Sequence, residues 1–280
     1  MPPEASELPA RLAILGTGLL GTSVGLAARR AGIHEIVAFD PDADALAEAG
    51  RIGAVTHSAA SSTAAVSSAD AVVLAAPVPI NVKLIATIAE HVAPHGFVTD
   101  VGSTKESIVV AAKAAGLSTQ FCGAHPMAGS EASGPAAARA DLFDGSTCFL
   151  VPSGAAATSA KAETFWRALG CRSIQQIDAA GHDELVARIS HVPHAVAAAL
   201  VELAGRDIQL AGPGLRDATR IAAGDPDLWV GILLDNADAI GHTLAKLSLT
   251  LDDLRRRLEQ HDALAIRAFL QNAATRRRSL

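Results

Sequence analysis

A doubly wound α/β sheet followed by an all-helical C-terminal domain is the fold class this sequence predicts, and three observations carry the prediction. Short β-leaning apolar runs bounded by Gly, Pro, Asp or Ser recur at 11–15, 35–39, 71–76, 97–101 and 147–151. Alanine-rich segments with helical spacing fill the intervals, and beyond about residue 180 the strand signals cease. Continuous apolar runs separated by helices read as buried parallel strands joined by crossovers.

Taken in order, RLAIL (11–15) opens the sheet and a helix over 19–31 follows it. EIVAF (35–39) is the second strand, with a helix over 42–50, and the Ala/Ser-rich stretch 58–69 reads as a loop with a short helix. AVVLAA (71–76) and FVTDV (97–101) are the next strands, followed by helices over 80–93 and 104–115. TCFLV (147–151) is read as one more buried parallel strand. Helical patterns then cover 182–204, 213–223, 226–248 and 251–275, so the expected domains are 1–178 and 179–280.

With 280 residues, half of them hydrophobic, the chain can bury a sizeable core. MPPEASELPA lacks a basic n-region and an apolar h-region, and no later apolar run is long enough to span a bilayer. A cytoplasmic protein without a membrane partner is expected. A net charge of −6 and a basic run confined to Arg276-Arg277-Arg278 argue against nucleic acid, the run reading as a solvated helix end. Cys122, Cys148 and Cys171 are odd in number and lack metal-type spacing, so neither disulfides nor a metal site is expected. Tyrosine is absent, which leaves His, Asp, Glu, Lys or Cys for acid/base work.

The first strand runs into Gly16-Thr17-Gly18-Leu19-Leu20-Gly21, a G-x-G-x-x-G opening a helix. In this Rossmann-type arrangement Gly16 permits the tight turn, Gly18 lets backbone approach a pyrophosphate, and Gly21 lets helix and strand pack. Leu19 and Leu20 lie on the same cofactor-facing turn. Asp40 ends the second strand where a carboxylate accepts hydrogen bonds from a ribose with a free 2′-hydroxyl and repels a 2′-phosphate, which favours NAD over NADP. The competing reading of Asp40 is a cap on the next helix. Ala76 and Pro77, at the carboxyl edge of the apolar run 71–76, leave room for a cofactor.

Two further segments carry chemistry: Asp100-Val101-Gly102-Ser103-Thr104-Lys105, and 123–134 (GAHPMAGSEASG). Together with Ser190-His191-Val192-Pro193-His194 and Arg216-Asp217-Ala218-Thr219-Arg220-Ile221-Ala222, in this order, the sequence resembles the prephenate/arogenate (cyclohexadienyl) dehydrogenases from about residue 11 to at least 240. That resemblance implies NAD-dependent oxidative decarboxylation of prephenate or arogenate in tyrosine biosynthesis. Alternatives are a dehydrogenase for an amino-substituted prephenate analogue, a small β-hydroxyacid or imine dehydrogenase with the same two-domain plan, and a non-catalytic NAD-sensing homologue.

The resemblance makes His125 the acceptor of the substrate hydroxyl proton, a task suited to imidazole. It makes Ser103 a hydrogen-bonding assistant, the alternative being a cap on the helix starting near Lys105. Lys105 itself reads equally as a surface helix residue. Arg220 would bind a substrate carboxylate with its planar fork, with Arg216 as the fallback and a surface ion pair as the alternative. Glu131 would lie near the pocket entrance, or be a routine first-turn carboxylate. His194 is preferred for substrate contact and His191 for a structural or nearby role, with Pro193 kinking their helix. Helices after 226, including Trp229 and Gly231-Ile232-Leu233-Leu234, would form a homodimer, although an intradomain core explains them as well. With only helical sequence after 251, an appended regulatory domain is not expected.

Overall fold

The computed structural model describes residues 8–129 and 132–279. Strands β1 (Arg11–Leu15), β2 (Glu35–Phe39), β3 (His57–Ser58), β4 (Ala71–Leu74) and β5 (Phe97–Asp100) form a parallel sheet in the order β3-β2-β1-β4-β5. Alternation along these strands sends Leu12, Ile14, Ile36 and Val73 into one apolar cluster and Leu15, Val37, Val72 and Leu74 into the other. Both faces are therefore buried, which is why the strands read as unbroken apolar runs. Helices α1 (Leu19–Arg30), α2 (Ala43–Arg51), α3 (Ser62–Val66), α4 (Val78–Ile88) and α5 (Glu106–Ala114) connect and cover them.

The expectation for 147–151 needs correction. Strand β7 (Thr147–Pro152) lies in a second sheet, antiparallel to β6 (Cys122–Pro126) and parallel to β8 (Ser173–Gln176), with α6 (Ala156–Ala168) joining β7 to β8. CGAHP and SIQQ carry little β-propensity; long-range pairing with β7 makes them strands.

A side chain joins the sheets where the main-chain ladder is sparse. Val98 and Phe121 make an isolated parallel bridge. Beyond it the fully buried Asp100 accepts from Ala124 N (2.9 Å) and Gly102 N (2.8 Å), and pairs with Lys105 Nζ at 2.5 Å. Lys105 is therefore not a surface residue. Gly123 leaves space for its stem, since a Cβ there would sit 3.2 Å from Lys105 Cδ.

The remaining elements are helical: α7 (Ala179–Val186), α8 (Val192–Ala204), α9 (Pro213–Thr219), α10 (Pro226–Asp235), α11 (Ala237–Glu259) and α12 (Ala263–Arg277). The helix expected over 182–204 is interrupted by a π turn, Ala187–His191, whose last hydrogen bond runs from Val192 N to Ala187 O. Pro193 sits in the first turn of α8, where a missing N–H costs nothing, so the irregularity belongs to the π turn. The helix expected over 226–248 breaks at Asn236. One compact unit extends to Asn236, past the composition change near 178, and a second comprises the residues from Ala237. Within the first, Asp235 Oδ2 accepts from Thr104 Oγ1 (2.5 Å) and Ser107 Oγ (2.9 Å), tying α10 to α5 and to the turn that precedes it.

Removing one partner of a buried ion pair leaves the other desolvated and uncompensated. Lys105→Met is expected to lower the unfolding free energy by about 3–5 kcal/mol, read from urea denaturation. A loss below about 1 kcal/mol would show that Asp100 manages on its backbone donors alone.

Candidate active site

At the carboxyl ends of β1 and β4 the glycine-rich turn packs against Ala75 and Ala76. Gly16 has φ +104°, and a Cβ there would lie 2.7 Å from the Ala75 carbonyl carbon. A Cβ on Gly21 would overlap Gly16 O, so both positions require glycine for packing. Gly18 differs: a Cβ there meets nothing within 4 Å. It is the N-cap of α1, supplies no side-chain cap, and no acidic residue stands in the first turn. Half-buried Leu19 and Leu20 begin the helix, so first-turn N–H groups and the positive end of the dipole face open space beside Gly18.

Asp40 does not cap α2; Asp42 does, accepting from Asp44 N and Ala45 N. Asp40 Oδ2 instead accepts from Thr17 N (2.6 Å) and Thr17 Oγ1 (3.0 Å), and Oδ1 accepts from Asp42 N. The carboxylate thus clamps the glycine-rich turn while staying partly exposed. Ala76 and Pro77 are held by a residue the sequence reading missed. Buried Asn81 accepts from Ala76 N (3.2 Å) and donates to Ala76 O (2.8 Å).

His125 lies on β6, opposite Phe149, and is 8 % exposed. Its Nδ1 is 3.0 Å from His182 Nε2, and His182 Nδ1 is 2.7 Å from Asp183 Oδ1. Asp183 also accepts from Lys105 N (2.8 Å) and Glu106 N (2.9 Å), and so caps α5 from 77 residues further along the chain. Ser103 does not make that cap; it sits half-buried on the turn between β5 and α5. His125 Nε2 takes no part in the contact with His182. Burial, then the neighbouring His182, Lys105 and His191, push the His125 pKa well below the usual 6.5 and keep the ring neutral.

The helical segment adds two more buried imidazoles. His191 Nδ1 accepts from Asn236 Nδ2 at 3.1 Å, and the same amide donates to Asp183 O at 2.8 Å. His194 stacks on Trp229, with centroids 3.4 Å apart and planes 12° from parallel, while His191 meets that indole edge-on. Burial takes the His191 pKa down to about 4 and lowers that of His194. His191 Nε2 and His194 Nδ1 are buried without partners among the described residues, atoms that a bound molecule would satisfy.

Arg216 is exposed on α9, and Arg220, also exposed, begins the short 3₁₀ turn after it and has an interaction partner within the protein. Glu131 lies outside the described residues. No three His, Cys, Asp or Glu groups among the described residues are arranged to hold a metal. The three cysteines are buried and free, and burial raises the Cys122 thiol to about 12.

Comparison with known proteins bears on this geometry. The family model described as prephenate dehydrogenase, nucleotide-binding domain, matches residues 24–175, and that described as prephenate dehydrogenase, dimerization domain, matches 178–272. A prephenate dehydrogenase of Bacillus subtilis is 31% identical over 280 residues, covering 96% of this chain and 75% of its own. Among solved structures, a prephenate dehydrogenase from A. aeolicus, in complex with hydroxyphenyl propionate and NAD+, has a TM-score of 0.89 at 25% identity and covers 96% and 97% of the two chains. Synechocystis arogenate dehydrogenase has a TM-score of 0.82 at 27% identity, covering 96% and 99%. A Mycobacterium tuberculosis 3-hydroxyisobutyrate dehydrogenase, at 0.52 and 18%, shares the fold alone.

Two outcomes follow from this geometry. Gly18→Ala adds a methyl group where the protein has none nearby, so thermal stability is expected to hold while NAD affinity falls about tenfold or more, the loss of roughly 1.4 kcal/mol. Calorimetric titration alongside a melting curve separates the two effects. For buried neutral histidines the unfolded state binds protons below about pH 6.5 and the folded state does not, so stability falls as pH falls from 6.5 towards the His191 value of about 4. Urea midpoints between pH 7 and 5, above the usual carboxylate range, are expected to drop steadily; a flat profile would mean the imidazoles are already charged.

Proposed function

We propose that this chain, which belongs to the prephenate dehydrogenase family, catalyses the NAD-dependent oxidative decarboxylation of prephenate or arogenate. The observation that carries the reading is His125: a buried neutral imidazole held through Nδ1 by His182, in a unit that also buries His191 Nε2 and His194 Nδ1 without partners among the described residues.

The glycine-rich turn fits NAD. The open flank of Gly18 and the first-turn N–H groups of α1 suit a pyrophosphate, and Asp40 suits an adenosine ribose with a free 2′-hydroxyl. Ala76 and Pro77, pinned by Asn81, would border the nicotinamide end. When bound, NAD accepts the hydride that leaves the hydroxyl-bearing ring carbon. The ring carboxylate leaves as carbon dioxide, its bonding pair entering the ring, and aromatisation drives the reaction.

In this scheme His125 Nε2 accepts the hydroxyl proton, and Ser103 orients the hydroxyl. His194, fixed in plane by Trp229, and His191, fixed by Asn236, supply polar contacts to the substrate. Arg220, or failing that Arg216, holds a carboxylate at the helical edge. Glu131 is assigned to the pocket entrance on the family resemblance. The helical segment 179–280 is proposed as the substrate and dimerisation module. Support comes from its match to a dimerization domain and from the exposed Leu249, Leu258, Leu264 and Leu270 of α11 and α12.

Purified protein with NAD and either prephenate or arogenate is expected to form NADH, followed by absorbance. His125→Asn is expected to lower kcat about 10²–10⁴-fold with NAD affinity retained. Protonation removes the lone pair of the base, so with a depressed pKa the acid limb of kcat/KM is expected below pH 6.5. No turnover of either substrate would overturn the reaction assignment, and an unimpaired His125→Asn would overturn the role of this imidazole.

A further inference from the structure

The role of His125 as a base requires its hydrogen on Nδ1 and its lone pair on Nε2, and an isolated imidazole does not guarantee that arrangement. We propose that Asp183 and His182 form a relay behind His125 that fixes its tautomer, so that Nε2 always presents a lone pair to the substrate hydroxyl. The inference rests on the reading of His125 given above and makes His182 a positioning residue.

Among the described residues, the Asp183 carboxylate receives only N–H groups: Lys105 N and Glu106 N from the start of α5, and the His182 ring. A carboxylate surrounded by donors accepts, so the His182 hydrogen lies on Nδ1. A neutral His182 then has its lone pair on Nε2, and the 3.0 Å contact with His125 Nδ1 requires the hydrogen to come from His125. That leaves the lone pair of His125 on Nε2, the ring nitrogen that takes no part in the contact with His182.

The relay is rigid at both ends. His182 is fully buried and packs edge-on against Phe149, whose centroid is 5.7 Å away, while the Asp183 carbonyl is held by Asn236. Once His125 Nε2 has taken the substrate proton, its Nδ1–H remains bonded to His182 and the new positive charge faces Asp183 through the intervening ring. No second proton has to move. The same logic explains why two polar residues adjacent in sequence, His182 and Asp183, are both buried in the middle of α7.

The test reads the tautomer directly, without substrate. In protein carrying ¹⁵N-labelled histidine, long-range ¹H–¹⁵N correlation near pH 7.5, above the usual histidine range, is expected to show His125 and His182 each protonated on Nδ1 alone. In His182→Phe, which keeps an aromatic ring against Phe149, the single-tautomer pattern of His125 is expected to become a mixture. Its kcat should fall about 10²–10⁴-fold, with KM and NAD affinity within about threefold. His182→Gln, whose Oε1 can accept from His125 Nδ1–H, is expected to restore the pattern and part of the rate. A wild-type His125 protonated on Nε2 would overturn the relay, as would a His182→Phe protein with unchanged tautomer and kcat. Should the wild-type pattern appear as expected while neither prephenate nor arogenate is oxidised, the relay stands and the assigned reaction falls.

Discussion

The buried pair between Asp100 and Lys105 is the constraint on which the rest of the site depends. Asp100 ends β5, and its carboxylate reaches Ala124 N in the middle of β6, so the strand that carries His125 is registered by a side chain. Lys105 neutralises that carboxylate and, through its backbone N–H, receives Asp183 from α7. One short segment, 100–105, therefore aligns the second sheet, the start of α5 and the helical residues behind His125. Two charges out of water are costly on their own account. Here they fix a unique geometry for groups that contact neither of them.

The electrostatics of the imidazole cluster follow from that arrangement. His125, His191 and His194 are all buried, and burial disfavours the charged form of each. Lys105 and the neighbouring rings add to this at His125, so the protein spends folding stability at acid pH to keep that imidazole neutral. Polar atoms left unpaired at His191 and His194 point the same way, because a fold rarely leaves such atoms buried unless a ligand completes them. Stacking on Trp229 holds His194 without consuming its nitrogens.

The parts of the fold visible in the sequence were those specified locally. Continuous apolar strands announce a sheet covered on both faces, and G-x-G-x-x-G followed by Asp40 announces a strand–turn–helix whose Gly21 is demanded by Gly16 five residues earlier. Strands β6 and β8 were invisible because CGAHP and SIQQ become strands only by pairing with β7. Lys105 looked like an ordinary helix residue because its burial depends on Asp100 and on the space at Gly123. His182 and Asp183 carry no motif of their own; their signal, a His-Asp pair within a helix upstream of His191 and His194, gains meaning only from what lies 3 Å away.

The sequence by itself determined the α/β class, the change to helices near residue 180, the dinucleotide turn and the imidazole at position 125, because each is written in periodicity or in a short motif. Tertiary structure alone decided which side chains stand behind that imidazole and why burial holds it neutral. Those properties arise from burial and from hydrogen bonds between residues 57 to 78 positions apart, and no local pattern encodes a distance across the fold.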